Sequence, residues 1–95
     1  MTPSLGLIGC GAFGSFMLRH LTPFFRVRVH DPYRDLAEIA AVYNVEVATL
    51  AAAAACDVVV PAVPVQRLDA LTREIAPLLH AGTLVIDVAS VKLKP

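Results

Sequence analysis

Short apolar, β-branched runs alternate along this chain with stretches in which leucine and alanine recur at helical spacing. The runs fall at residues 5–8, 26–30, 45–47, 57–60 and 83–87. Between them, residues 12–21, 34–43, 50–55 and 65–79 carry the helical pattern. Strands of four or five residues separated by helices make βαβ units, which require a parallel sheet covered on both faces. Val58, Val59 and Val60 show no alternation, as expected of a strand buried on both sides. In the last helix Leu68, Leu71, Ile75, Leu78 and Leu79 share a face, and Pro77 should kink or end it. Pro64 suits its first turn, and Gly82 supplies the turn into the last strand. Right-handed crossovers limit the strand orders available. The order 3-2-1-4-5 is the natural one, giving an α/β, Rossmann-type, doubly wound parallel sheet that stops short of the usual sixth strand.

Composition narrows the class. The chain has 95 residues, 57% of them apolar and 17% charged. That length predicts a single domain over 1–95, and the apolar content excludes a disordered chain. Eight basic residues balance eight acidic ones. The electrostatic footprint of a general nucleic-acid binder is therefore missing. The uncharged first 18 residues lack the basic start of a signal peptide, and the run at 58–65 is too short and proline-broken to span a bilayer. Cys10 and Cys56 provide neither a disulfide framework nor zinc-ligand spacing, so no metal and a reduced, cytoplasmic setting are expected.

The chemistry concentrates in Gly9-Cys10-Gly11-Ala12-Phe13-Gly14, between the first strand and the first helix. In such a loop the first glycine allows the tight turn, and the second lets the backbone approach a pyrophosphate. The third lets helix and strand pack closely. The phosphates then sit on the exposed N–H groups and positive end of the helix. Asp31 ends the second strand, 17 residues past Gly14. A carboxylate there accepts hydrogen bonds from the adenosine ribose hydroxyls and repels a 2′-phosphate, which favours NAD over NADP. Arg34 is open to three readings: a partner for that phosphate, a plane stacked on adenine, or a solvated charge. A kinase glycine loop would need a following strand and a nearby lysine, and the first lysine here is Lys92.

The turn Ala62-Val63-Pro64 follows the fourth strand, beside the first across the switch point, and is expected to line the nicotinamide side of the crevice. His20 and His80 read as surface residues. His30 adjoins Asp31 and could touch the adenosine. Cys10, at a helix N-terminus, could be an activated thiol, though packing is its default role.

The glycine loop, the strand-ending Asp31, the segments DVVV and AVPV, the IAPLL helix and the closing DVASVK together resemble the prephenate/arogenate dehydrogenase family. The resemblance covers residues 5–95 and only the family's N-terminal cofactor domain. It implies an NAD(P)-dependent oxidative decarboxylation in tyrosine biosynthesis, with prephenate or arogenate as substrate. It also implies that Ser90 is catalytic, contacting the substrate hydroxyl, and that Lys92 helps to shape the site. Without the resemblance Ser90 would read as a helix N-cap. Pro61 stands where the family pattern has an aliphatic residue and is expected to shorten the fourth strand. The chain ends before the family's catalytic histidine and its helical substrate and dimerisation domain. Binding without turnover is therefore expected, and a homodimer is allowed. The alternatives are an S-adenosylmethionine-dependent methyltransferase-like domain and a non-enzymatic nucleotide-sensing module.

Overall fold

The computed structural model describes residues 2–86, except for the side chains of Ala12 and Phe13. Five strands form one sheet: β1 Ser4–Ile8, β2 Arg26–His30, β3 Glu46–Val47, β4 Val58–Pro61 and β5 Leu84–Val85. Their order is β3-β2-β1-β4-β5, with every neighbouring pair parallel. The expected Rossmann-type 3-2-1-4-5 sheet is what forms. The helices are α1 Ala12–Leu21, α2 Ala37–Tyr43, α3 Leu50–Ala54 and α4 Val65–Ile75.

Two cores, one on each face of the sheet, show why the pattern winds both ways. Leu5, Leu7, Val29 and Val60 point to the side of Leu18 from α1 and Leu36 at the start of α2. Ile8 and Val59 point to the other side, against Ala53 and Ala54 of α3 and Ile75 of α4. All of β1 is buried because it lies at the centre and is covered on both faces. The alanine run is a short helix seated on the sheet, capped by Thr49, whose hydroxyl accepts the Ala52 N–H at 3.1 Å. A Cβ at Gly6 would collide with the Ala53 carbonyl, so the bare backbone of β1 sets how closely α3 can lie.

Of three boundaries set by named residues, the end of α4 at Pro77 is the expected one and the other two differ from expectation. Helix α2 begins at Ala37 rather than at position 34. Asp31 and Asp35 each accept a backbone N–H two residues on, from Tyr33 and Ala37, holding 31–36 in turns. Helix α4 stops at Ile75 and tightens into one 3₁₀ turn, Ala76–Leu78, because Pro77 lacks the N–H that an α-helix would use. Third, Pro61 does not shorten β4, which runs through it in register with Ile8. Ladder bonds alternate sides along a parallel strand. The Ala62 N–H donates to Ile8 toward β1 at 2.7 Å, while Asp57 and Val59 accept from Leu84 and Ile86 toward β5. The missing N–H of Pro61 thus falls on the β5 side, beyond the last described pair of that ladder, Val59 with Val85. The expected end of strand 5 at Asp87 lies outside the described residues.

Candidate functional site

The C-terminal ends of β1, β2 and β4 meet at the glycine loop, and each glycine there meets a different demand. Gly9 has φ +92°, and a Cβ on it would lie 2.7 Å from the Ala62 carbonyl oxygen. Both the turn and the close passage of the β4 segment exclude a side chain at this position. Its own N–H is bound to the His30 carbonyl at 2.8 Å, which ties the loop to the end of β2. At Gly14 a Cβ would stand 3.2 Å from the Gly9 carbonyl oxygen, so this glycine lets α1 pack against the loop that precedes it.

Gly11 is different. Its φ of −77° suits any residue, and among the described residues a Cβ on it would meet only the Arg34 guanidinium, at 3.8 Å. Nothing in the described fold requires a glycine there. Gly11 is also the N-cap of α1, with no side chain to satisfy the helix's free amides. The first intrahelical bond runs from the Ser15 N–H to the Gly11 carbonyl. The N–H groups of Ala12, Phe13 and Gly14 therefore lack intrahelical partners and lie at the positive end of the helix. No acidic side chain occupies that first turn. The arrangement can receive an anion.

Asp31 is nearly buried. One carboxylate oxygen, Oδ2, accepts the Cys10 N–H at 2.8 Å and stands 3.6 Å from Arg34 Nε. The other, Oδ1, accepts the Tyr33 N–H at 3.0 Å. Its carboxylate thus lies against the glycine loop itself. Arg34 bridges the same gap from above, between Asp31 and Gly11. Cys10 is fully buried, with Sγ 3.7 Å from Ser15 Oγ, so it packs and presents no thiol to the surface.

Beside Asp31 a cleft of about 350 Å³ opens between the β2–α2 turn and α4. Its walls include Gly9, Asp31, Pro32, Tyr33, Val63 and Arg67. Val63 therefore lies on the Asp31 side of the glycine loop. Ala62 lies under Gly9, and Pro64 is the N-cap of α4. His30 also borders the cleft, its Nδ1 2.9 Å from the Ala48 carbonyl oxygen. Across the cleft the Arg67 guanidinium sits 4.6 Å above the centre of the Tyr33 ring. Neither residue stands out in the sequence; a tyrosine and an arginine 34 positions apart carry no local signal of meeting. Gly6 does carry a local signal, because an isolated glycine inside an apolar strand is a known sign of close backbone approach. Ser90 and Lys92 lie outside the described residues. Among the described residues no helix is long and apolar enough to cross a membrane.

Comparison with solved structures agrees with this architecture. The apo-structure of D-lactate dehydrogenase from Escherichia coli superposes with a TM-score of 0.75 at 26% identity, over 92% of this chain and 29% of that one. The PH0520 protein from Pyrococcus horikoshii OT3 superposes at 0.74 with 20% identity, over 90% of this chain and 26% of that one, a likeness of fold alone. This chain thus spans less than a third of the length of either. No match is found among the curated proteins. Residues 18–95 match the family described as "Prephenate dehydrogenase, nucleotide-binding domain". That match starts beyond the glycine loop, so the loop's geometry and the family match are separate observations. They converge on a dehydrogenase nucleotide-binding fold rather than a methyltransferase: this chain belongs to the prephenate dehydrogenase nucleotide-binding domain family.

Proposed function

We propose that this chain binds NAD at the ends of β1, β2 and β4 and forms the cofactor half of a prephenate or arogenate dehydrogenase. The observation that carries the reading is Gly11, a glycine that neither its backbone angles nor its neighbours require. What does require it is an approaching group that must reach the backbone, and a dinucleotide pyrophosphate is such a group. The residues present fit it. The amides of Ala12, Phe13 and Gly14 receive the phosphates, with Arg34 close enough to neutralise charge. Asp31 offers acceptors to the adenosine ribose and a negative charge to any 2′-phosphate, so NAD is preferred to NADP.

When bound there, the dinucleotide would supply a hydride acceptor for the family's reaction, in which hydride loss accompanies decarboxylation and aromatisation of the substrate ring. The part of the described residues is to bind and orient. Gly9 and Ala62 fix the loop against β4, and α1 turns its positive end to the phosphates. Ser90, by its match to the family's serine, is assigned to the substrate hydroxyl. The place of the reaction in tyrosine biosynthesis follows from the family resemblance.

The test is calorimetric titration of the purified chain with NAD and NADP, repeated on Gly11→Val. The unmodified chain should bind NAD more tightly. Because, among the described residues, a Cβ at position 11 meets only the Arg34 guanidinium, at an ordinary contact distance, the variant should fold normally and lose at least about tenfold in affinity, ~1.4 kcal/mol. A folded Gly11→Val protein that binds NAD as well as the unmodified chain would overturn the reading of the loop.

A further inference from the structure

The cleft beside Asp31 has a wall that the glycine loop does not explain. Tyr33 is three-quarters exposed, yet its place is fixed from both ends. Its backbone N–H is held by Asp31, and its ring is covered by the Arg67 guanidinium from the first turn of α4. The pair therefore bridges the β2–α2 turn to α4 beside a slot whose remaining walls include the apolar Pro32, Leu50, Val63 and Leu71. A flat cation placed over an aromatic ring, beside an apolar slot, is suited to one face of a planar aromatic group.

We infer that Arg67, held in place by Tyr33, is a positioning residue for the adenine ring, which enters this cleft when the ribose engages Asp31. The inference rests on the proposed reading of the site, since it takes the ligand to be a dinucleotide whose ribose lies at Asp31. What it adds is a second contact surface, from α4, that acts on the adenosine half alone. Arg67 offers both charge and a plane; lysine offers only charge. The pair also ties the turn that carries Asp31 to α4, so the base and the ribose carboxylate are positioned together.

The experiment measures the affinities of ADP-ribose and of nicotinamide mononucleotide for the full chain and four variants. Arg67→Ala, Arg67→Lys and Tyr33→Leu alter the pair, and Arg73→Ala is the control. Arg73 lies on α4 but forms an exposed pair with Asp69, away from the cleft lining. Arg67→Ala should weaken ADP-ribose roughly 3- to 30-fold and leave nicotinamide mononucleotide unchanged. Arg67→Lys should recover little of the loss, Tyr33→Leu should show a smaller loss, and Arg73→Ala should show none. Unchanged ADP-ribose affinity in both Arg67→Ala and Tyr33→Leu overturns this inference and leaves the glycine-loop reading standing. An equal loss of both ligands also overturns it, because the pair would then support the fold as a whole. Failure of the unmodified chain to bind ADP-ribose overturns the reading of the site and this inference with it.

Discussion

The Asp31 carboxylate accepts the backbone N–H of Cys10 at 2.8 Å, joining the end of β2 to the middle of the glycine loop. An acidic side chain at this position is expected to face a ribose; here it also holds the shape of the loop. With Oδ1 on the Tyr33 N–H and Oδ2 near Arg34, one carboxylate orients three neighbours. Hydrogen bonds to an ionised acceptor are among the stronger ones, so the contact gives the loop a defined resting geometry before any ligand arrives.

The two duties of Asp31 can be separated by substitution. Asp31→Asn keeps an acceptor for the Cys10 N–H and removes the charge, so the loop should hold while discrimination against NADP weakens. Asp31→Ser is too short to reach either neighbour and should also loosen the loop. Both variants should narrow the ratio of NAD to NADP affinity by about tenfold or more, with Ser losing more NAD affinity outright. Paired titrations with the two dinucleotides measure this. Tighter binding of NADP than NAD by the unmodified chain would assign the 2′ position to Arg34 instead.

Gly6 and Gly82 should respond to alanine for opposite reasons. At Gly6 the added methyl meets the backbone of α3, which cannot rotate away as a side chain can. Overpacking of this kind typically costs 1–3 kcal/mol, and a backbone partner puts Gly6→Ala at about 3 kcal/mol or above. At Gly82 nothing among the described residues lies within 4 Å, but φ is +88°. Gly82→Ala should cost only ~1–2 kcal/mol, through backbone conformation alone. Urea unfolding midpoints compare the two, and an equal effect would contradict the close seating of α3 on β1.

Asp57, the residue just before β4, is tied to Ser4, the first residue of β1. Its Oδ2 accepts the Ser4 N–H at 3.0 Å and the Ser4 hydroxyl at 3.2 Å, and its own N–H donates back to that hydroxyl at 3.0 Å. These bonds, the backbone one foremost, hold its pKa below the ordinary 3.8. A depressed carboxylate stabilises the fold fully above its unfolded value, and that contribution is lost as pH falls through the lower folded value. Asp57→Asn should therefore flatten the loss of stability below about pH 4 and leave the neutral region's pH dependence unchanged. Thermal unfolding across pH 2–7 checks it; an unchanged acid limb would mean the bonds do not favour the ionised form.

Helix α3 has five residues and depends on its cap. Thr49→Ala removes the acceptor for the Ala52 N–H and should cost about 1 kcal/mol, while Thr49→Ser should restore most of it. Since Ala53 and Ala54 are fully buried against the sheet, the loss should appear in global unfolding. A loss confined to local fraying, read by amide exchange, would show that α3 is not part of the cooperative core.

Local periodicity and glycine spacing, both written in short windows of sequence, determined the strand order, the helix positions and the loop at residues 9–14. The uninterrupted valines of β4 marked a strand covered on both faces, and Pro77 marked the end of α4. Helix α2 was less legible, because the turn bonds of Asp31 and Asp35 compete locally with the helix that the apolar spacing suggests. Pro61 gave a misleading signal for a different reason. A proline breaks a strand only where its N–H is needed, and only the sheet reveals which neighbour that N–H would have faced. The contacts that shape the site are longer in range. Asp31 meets Cys10, Ala62 passes under Gly9, and Arg67 covers Tyr33 because crossover helices and parallel pairing bring separate strand ends to one edge. Sequence determined which residues were available at the ends of β1, β2 and β4. The depth at which the helices pack on the sheet decided which of them touch, and that depth is set by atoms far apart in the chain.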